Sequence, residues 1–423
     1  MRYEKYKQTG TKWITSIPVS WDMQKIGALF VQRKEKVSDK DFAPISVTKN
    51  GILPQLATAA KTDDGDNRKK VCVGDFVINS RSDRKGSCGV SDLEGSVSLI
   101  NIVLQPREQL SGKYAHYLLR NHLFSEEYYR NGRGIVADLW TTRYSEMKTI
   151  LLPVPPREEQ EQIVRYLDWQ VSKINRLIAA KRKRIELVKE HFSVRIANIV
   201  CNGLKPNIPM RETGIDYIGA IPSHWTVLQN KRLFKSMNRT FQGIPTVLSL
   251  SQKDGLIPYS EMTERSLHTS SYENWQLVCP NDLVLNRFKA HLGVFFASKY
   301  TGIVTFHYGV YEAKMPLVAK YYEVLYHTPE YCRIYAGQSR GMTVGLQNLS
   351  DTNFYSTYTV YPPNEEQREI VTEIEQIEKQ QSSIIAGVNR QIEKLQEFRT
   401  RLISDVVTGQ VDVRGIKVPD DEY

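Results

Sequence analysis

The sequence predicts an α+β protein made by tandem duplication. An α/β domain followed by a long helix occurs twice, and the two helices pair as an antiparallel coiled coil. Three observations lead there. The decapeptide PPREEQEQIV at 155–164 returns as PPNEEQREIV at 362–371. Matched segments run in one order through both halves of the 423 residues. After each Pro-Pro pair, apolar residues recur at heptad-like spacing for about five heptads.

The first copy opens with ITSIPVSW (14–21), matched 204 residues later by IGAIPSHW (218–225). Phe30 and Phe234 keep that offset, as do KNGILP (49–54) and KDGLIP (253–258). From GDFVIN (74–79) and NDLVLN (281–286) onward the offset is 207, so one three-residue insertion lies between 258 and 282. Arg133-Gly134 and Arg340-Gly341 follow it, then Leu139 and Leu346, then the two PP..EEQ entrances. Each copy first shows short apolar runs such as FVINS and VSLINIVL, which suit strands. Asn50-Gly51 and Asp254-Gly255 mark turns. A short helical stretch follows, YAHYLLRNHLFSEEYY in one copy and KYYEVLYHTPEYCRIY in the other.

The long helices are predicted over 157–200 and 364–408. Proline suits the first helical position, and Glu158, Glu159, Glu365 and Glu366 favour the positive end of the helix dipole. Gly203 and Gly409 stand where helices commonly stop. The first seam is Ile163, Leu167, Ile174, Ile178, Ile185, Val188, Phe192 and Ile199. The second is Ile370, Ile374, Ile377, Ile384, Val388, Ile392, Leu395, Leu402 and Val406. A helix of this length spans roughly 65 Å, more than a domain of ~150 residues is wide, which favours pairing over packing on its own domain. The segments are then 1–155, 156–204, 205–361 and 362–423, with Pro156 and Pro363 ending equivalent domains.

Composition bounds the function. A net charge of +10 raises the prior for a polyanionic partner. The charged start MRYEKYKQTG has no apolar core, and no run of eighteen apolar residues occurs. Neither a signal peptide nor a membrane span is expected, and a cytoplasmic location is. Five cysteines without CxxC spacing point to reduced thiols rather than a disulfide framework or zinc site.

The two copies, each closed by a helix opening on PP..EEQ..I, resemble the specificity (S) subunit of type I restriction–modification enzymes. WITSIPVSW and YIGAIPSHW, GDFVINSR and NDLVLNR, and the ending VVTGQVDVR (406–414) carry the resemblance. It implies two target recognition domains, each reading half of a split DNA sequence. The paired helices would set the spacing and dock two methyltransferase (M) subunits, with restriction/translocase (R) subunits joining the complex. The S subunit itself would perform no chemistry and hold no cofactor. S-adenosylmethionine, ATP and Mg²⁺ would belong to the partners.

The residues agree with a non-catalytic chain. No GxxxxGK[ST] phosphate loop, HExxH pair or GxGxxG loop appears, and YPPN (361–364) lacks the order of a base clamp. One rival is a Mg²⁺-dependent nuclease of Asp282, Glu312 and Lys314. The first copy matches Asp282 with Asp75 but has Gln105 where Glu312 stands. The other rival is a helical scaffold that reads no DNA.

Domains reading different half-sites should agree in framework and differ where they touch bases. The copies diverge most at 55–71 against 259–278, at 80–89 against 287–293, and at 135–143 against 342–350. Candidate DNA contacts are Lys49, Arg81, Arg84, Lys85, Arg133 and Arg143, and Lys253, Arg287, Lys289, Arg340, Gln347 and Asn348. Arginine can grip guanine O6 and N7, and Gln or Asn can pair with adenine in the same bidentate way. Lysine serves mainly phosphate, and Arg133 and Arg340, equivalent in both copies, suit shared phosphate clamps. Trp140 suits core packing or base contact. Metal sites are not expected. The run Lys181-Arg182-Lys183-Arg184 suits a DNA backbone, an acidic partner or a solvated helix face.

Overall fold

A computed structural model describes residues 2–56, 65–134, 140–241, 246–252, 255–262, 272, 274–339 and 348–419. The chain divides into two units, Met1–Lys183 with Val388–Tyr423, and Arg184–Gly387. Both cuts fall inside a long helix, so each unit contains part of both.

In unit 1 the central sheet is formed by β1 (Phe30–Gln32), β4 (Phe76–Asn79), β5 (Cys88–Val90) and β6 (Asn101–Pro106). Its order is β5-β4-β6-β1, all antiparallel. Alternation along the strands decides what each face covers. Phe76, Ile78, Ile102 and Leu104 face a large core holding Trp21, Tyr114, Leu118 and Phe124. Val77 and Val103, between them, face a smaller core with Ile45, Val71 and Val97. The hairpin β2 (Ile45–Thr48) and β3 (Gly51–Pro54) turns at Asn50-Gly51, where Gly51 takes a φ of 112°. The apolar run VSLINIVL is broken: Val97 ends one strand and Asn101 begins β6, since they lie in different sheets.

The predicted short helical stretch is two helices, α1 (Gly112–Leu119) and α2 (His122–Arg130). Asn121 separates them, its side chain capping α2 by accepting from the Leu123 N–H at 3.0 Å. The helix α3 (Arg157–Asn202) follows.

Unit 2 repeats this plan. Its sheet holds β7 (Phe234–Ser236), β10 (Leu283–Asn286), β11 (Phe295–Ala297) and β12 (Tyr308–Ala313), in the equivalent order β7-β12-β10-β11. The hairpin β8 (Leu248–Ser251) and β9 (Gly255–Pro258) corresponds to β2–β3. The helices α4 (Ala319–Tyr326) and α5 (Pro329–Gln338) divide at Thr328-Pro329, where proline starts the second. The helix α6 (Asn364–Val407) completes the chain's regular structure.

Within unit 1 the start of α3 lies against the end of α6, running antiparallel to it. Ile163 and Leu167 share a core with Val406, Val407 and Leu402. Arg399 donates to Asn175 and Lys181 to Gln391, at 2.5 and 2.7 Å. Within unit 2 the end of α3 pairs with the start of α6. Phe192 and Ile199 share a core with Ile370, Ile374 and Ile377, and Arg195 donates to Glu373 at 2.8 Å. Of the predicted seam, Ile174, Ile178, Ile185, Val388 and Ile392 are also buried, while Val188, Ile384 and Leu395 are half-buried.

The second glutamate and the glutamine of each EEQ motif have partners in both copies. Gln160 is fully buried, and its Oε1 accepts from the Ser111 N–H at the start of α1 (2.8 Å). Its Nε2 donates to the Pro155 and Gln109 carbonyls. Gln367 repeats this with the Val318 N–H and the Pro362 carbonyl. Glu159 accepts from the Trp21 indole at 3.0 Å and from the Tyr3 hydroxyl at 2.5 Å. Glu366 accepts from Trp225 at 3.0 Å and meets His224 at 2.8 Å. The glycines that end the helices complete the clasp, Gly203 with a φ of 82° and Gly409 with 74°. A Cβ at Gly409 would meet Pro18 and Trp21, and one at Gly203 would meet Glu366 and Trp225.

Replacing Gln160 or Gln367 with leucine strands a buried N–H and a buried carbonyl. Each variant should lose about 3 kcal/mol of stability, read as a shifted urea midpoint with an unchanged slope.

Candidate nucleic-acid interface

Strand ends place the candidate residues of unit 1. Asn79 closes β4, and its Oδ1 accepts from the Arg81 N–H at 3.0 Å, turning the chain outward. Asn286 does the same for β10 through the Phe288 N–H at 3.1 Å. Arg81 and Arg133 each bridge Thr141, and the Thr142 N–H donates to the Ser80 carbonyl at 3.0 Å. Arg81, Arg133 and Arg143 therefore emerge around one Thr141-Thr142 junction, all exposed. The Arg143 N–H is held by the Glu146 carboxylate at 3.1 Å, which leaves the guanidinium to point outward. Lys85 is tied to Glu126 at 2.5 Å and lies over the Tyr129 ring. Lys49, in the β2–β3 turn, and Arg84 line one cavity of about 670 Å³. Trp140 packs in the domain: its indole donates to the Tyr129 carbonyl at 2.9 Å and fills the space that side-chain-free Gly132 leaves.

Unit 2 uses the same junction differently. The Leu349 N–H donates to the Arg287 carbonyl, as Thr142 does to Ser80, which brings exposed Asn348 beside Arg287. The Arg287 guanidinium is half-buried and bound to Asp351 at 2.5 Å, and Asp351 also accepts from the Tyr311 hydroxyl at 2.7 Å. Burial pushes the Asp351 carboxyl up, but these two bonds outweigh it and hold it below its ordinary value. Lys289 is exposed. Lys253, Arg340 and Gln347 lie outside the described residues, as do Leu139 and Leu346. On α3, Lys181 is committed to Gln391, whereas Arg182, Lys183 and Arg184 are exposed.

The two acids and the lysine considered for nuclease chemistry are all engaged by other groups. Arg239 reaches Asp282 at 2.5 Å and Glu312 at 3.1 Å, and the Lys314 ammonium donates to the Lys231 carbonyl. Asp282 is buried and also accepts from the Cys279 N–H at 2.8 Å. Unit 1 holds the same arrangement without a Glu312 counterpart: Arg33 forks onto Asp75 at 2.7 and 3.1 Å, and Asp75 accepts from Cys72. An Arg–Asp pair present in both copies is a brace for the loop before β4 and β10. The signal for it was the Cys-x-x-Asp spacing shared by both copies.

A second shared position changes chemistry between the units. The Val90 N–H of β5 donates to His116 Nδ1 at 3.3 Å, and the equivalent Ala297 N–H of β11 donates to the Glu323 carboxylate at 2.8 Å. Burial, and then the Arg120 charge, push the His116 imidazole down to about 4. Burial, and then Lys320, do the same to His327, one turn along α4 from Glu323.

No protein-family model matches the chain. It is 22% identical to a protein of Methanocaldococcus jannaschii described as a type I restriction enzyme MjaX specificity subunit, over 54% of each chain. The match thus spans about half the length of that relative. A solved chain from work on assembly and conformational transition of a type I R-M system superposes with a TM-score of 0.64, at 13% identity, covering 93% of this chain and 99% of that one. The HsdS subunit of Thermoanaerobacter tengcongensis gives 0.50 at 15%, covering 96% and 100%. The chain has the fold of these subunits, as the repeated motifs implied.

Both neutral histidines make stability depend on pH. Their ordinary value is 6.5, so below it the unfolded chain takes up protons that the folded chain refuses. Stability present above pH 6.5 is lost as pH falls toward 4. Denaturation at pH 7.5, 6 and 5 should show this decline, and His116→Gln should lessen it, His327 keeping the remainder.

Proposed function

We propose that this chain reads a bipartite DNA sequence and scaffolds a type I restriction–modification complex, performing no chemistry itself. One observation carries the reading. Two copies of a single framework, alike in sheet, helices and clasp, differ in the side chains set on the same strand-end junction. That is the arrangement needed to read two different half-sites. Arg81, Arg133 and Arg143 form the exposed basic group of unit 1, with Lys49 and Arg84 on the neighbouring cavity. Phosphate contacts from such residues supply salt-sensitive affinity, and base contacts the sequence preference.

The helices in this reading set the spacer and receive partners. Leu177 and Phe398 in unit 1, and Leu187 and Val194 in unit 2, are large apolar side chains left 46 to 65% exposed outside the seam. Two methyltransferase subunits with S-adenosylmethionine would dock there, and the restriction subunits would bring ATP and Mg²⁺. Among the described residues no helix is long and apolar enough to cross a membrane. Arg239 between Asp282 and Glu312 gives the nuclease alternative no support.

Selection from random duplexes at ~150 mM salt, using the chain co-expressed with its methyltransferase subunits, tests the reading. Two short blocks at fixed spacing are expected. A continuous target, or no enrichment, would overturn it. Adding one heptad to both α3 and α6 lengthens each by about 10 Å and should widen the spacer by about 3 base pairs, leaving both blocks unchanged.

A further inference from the structure

The cavity of about 670 Å³ in unit 1 has an unusual floor. Asn101, the first residue of β6, lines it and is 5% exposed. Its Oδ1 is buried and, among the described residues, accepts no hydrogen bond. The orientation of the amide is fixed by its other end. Nδ2 donates to the Ser98 carbonyl at 3.2 Å and to the Ser98 hydroxyl at 3.0 Å. Turning the amide over would set its oxygen against that carbonyl. The backbone is equally fixed, with Asn101 N–H donating to Ser98 and its carbonyl accepting from Lys69 at 2.6 Å. A buried acceptor left unpaired beside a polar cavity costs free energy until a donor arrives.

Unit 2 fills the equivalent position with a different side chain. Tyr308 stands at the register of Asn101, opposite Asn286 as Asn101 is opposite Asn79. Its N–H donates to Thr305 as that of Asn101 donates to Ser98. From there the Tyr308 side chain reaches across to Ser249 and Leu250 of the equivalent hairpin. One framework therefore holds an amide beneath an open cavity in unit 1 and a phenol tied to the hairpin in unit 2. Lys49 and Arg84 line the cavity, Arg84 paired with Asp83 at 3.5 Å, so Lys49 supplies the positive charge for a nucleotide's phosphate.

We infer that Asn101 determines specificity for one half-site, its Oδ1 accepting an N–H from the exocyclic amino group of an adenine or cytosine whose major-groove edge faces this cavity. The inference rests on the DNA-reading role proposed above, and assigns one base of one half-site to one residue. On the major-groove edge, guanine O6 and thymine O4 are acceptors and would face Oδ1 without a hydrogen bond.

The test uses the whole chain with its methyltransferase subunits, as wild type and as Asn101→Tyr, a side chain this framework already accommodates in unit 2. Random-duplex selection should give one shared block, and one block in which the variant alone has lost an adenine or cytosine. At that base, an analogue lacking only the amino group should bind wild type about tenfold more weakly, and the variant no differently. Identical blocks for both proteins would overturn the assignment while leaving DNA reading intact. So would a wild-type protein indifferent to amino-group deletion throughout both half-sites, a result independent of how the variant folds. A wild type that enriches no sequence would instead remove the DNA-reading premise.

Discussion

A buried glutamine at the entrance of each long helix is the constraint on which the two units depend. Gln160 and Gln367 are inaccessible to water, so each of their polar atoms must be paired within the protein. Their partners are the carbonyl of the first proline of each Pro-Pro pair and the N–H at the start of α1 or α4, joined in unit 1 by the Gln109 carbonyl. That pairing fixes three chain segments at one point. The neighbouring glutamate then receives the indole N–H of a tryptophan 138 or 141 residues away, and so ties in the start of the domain. A helix entrance that reads locally as proline followed by acids is thus a tertiary joint. Its duplication explains why two domains with different surfaces keep one geometry.

Comparison between the copies separates what the framework needs from what it tolerates. The Arg33–Asp75 and Arg239–Asp282 pairs are kept with the same backbone partner. A strand N–H is accepted by histidine in one copy and by a carboxylate in the other. There the requirement is for an acceptor, and its charge is open. Asn101 and Tyr308 go further, because the residue is free to change whenever its backbone bonds are met.

Much of this was legible in the sequence because it was written twice. Repeated motifs gave the helix entrances and ends, and the short apolar run FVINS gave a strand, which the fold buries on both faces. The heptad steps gave the seam, with Val188, Ile384 and Leu395 less covered than the pattern implied. Side-chain commitments were less visible. Arg287 reads as an exposed base reader until Asp351, 64 residues on, is seen beside it. Nothing in the spacing of Asn101 distinguishes it from other polar strand residues, since its significance comes from the hairpin that leaves it a cavity. Asp282 and Glu312 resemble a metal site only while Arg239 is out of view. Local patterns report elements well, and they report long-range partners only where a copy exists for comparison.

Unit 1 is assembled from both ends of the sequence. Val406, Val407 and Val413 lie fully buried with Trp21, and the Tyr114 hydroxyl donates to the Val407 carbonyl. Gln410 donates to Ser16, and Arg414 lies over the Tyr3 ring. Unit 2 is continuous, from 184 to 387. During synthesis the order of appearance and the order of completion are therefore reversed. The domain that leaves the ribosome first waits, with its tryptophan uncovered, until residues beyond 400 emerge. The domain made second has its whole core in hand earlier. A ribosome stalled late in the message would release a chain with one finished half and one open one, and proteolysis would sense the difference.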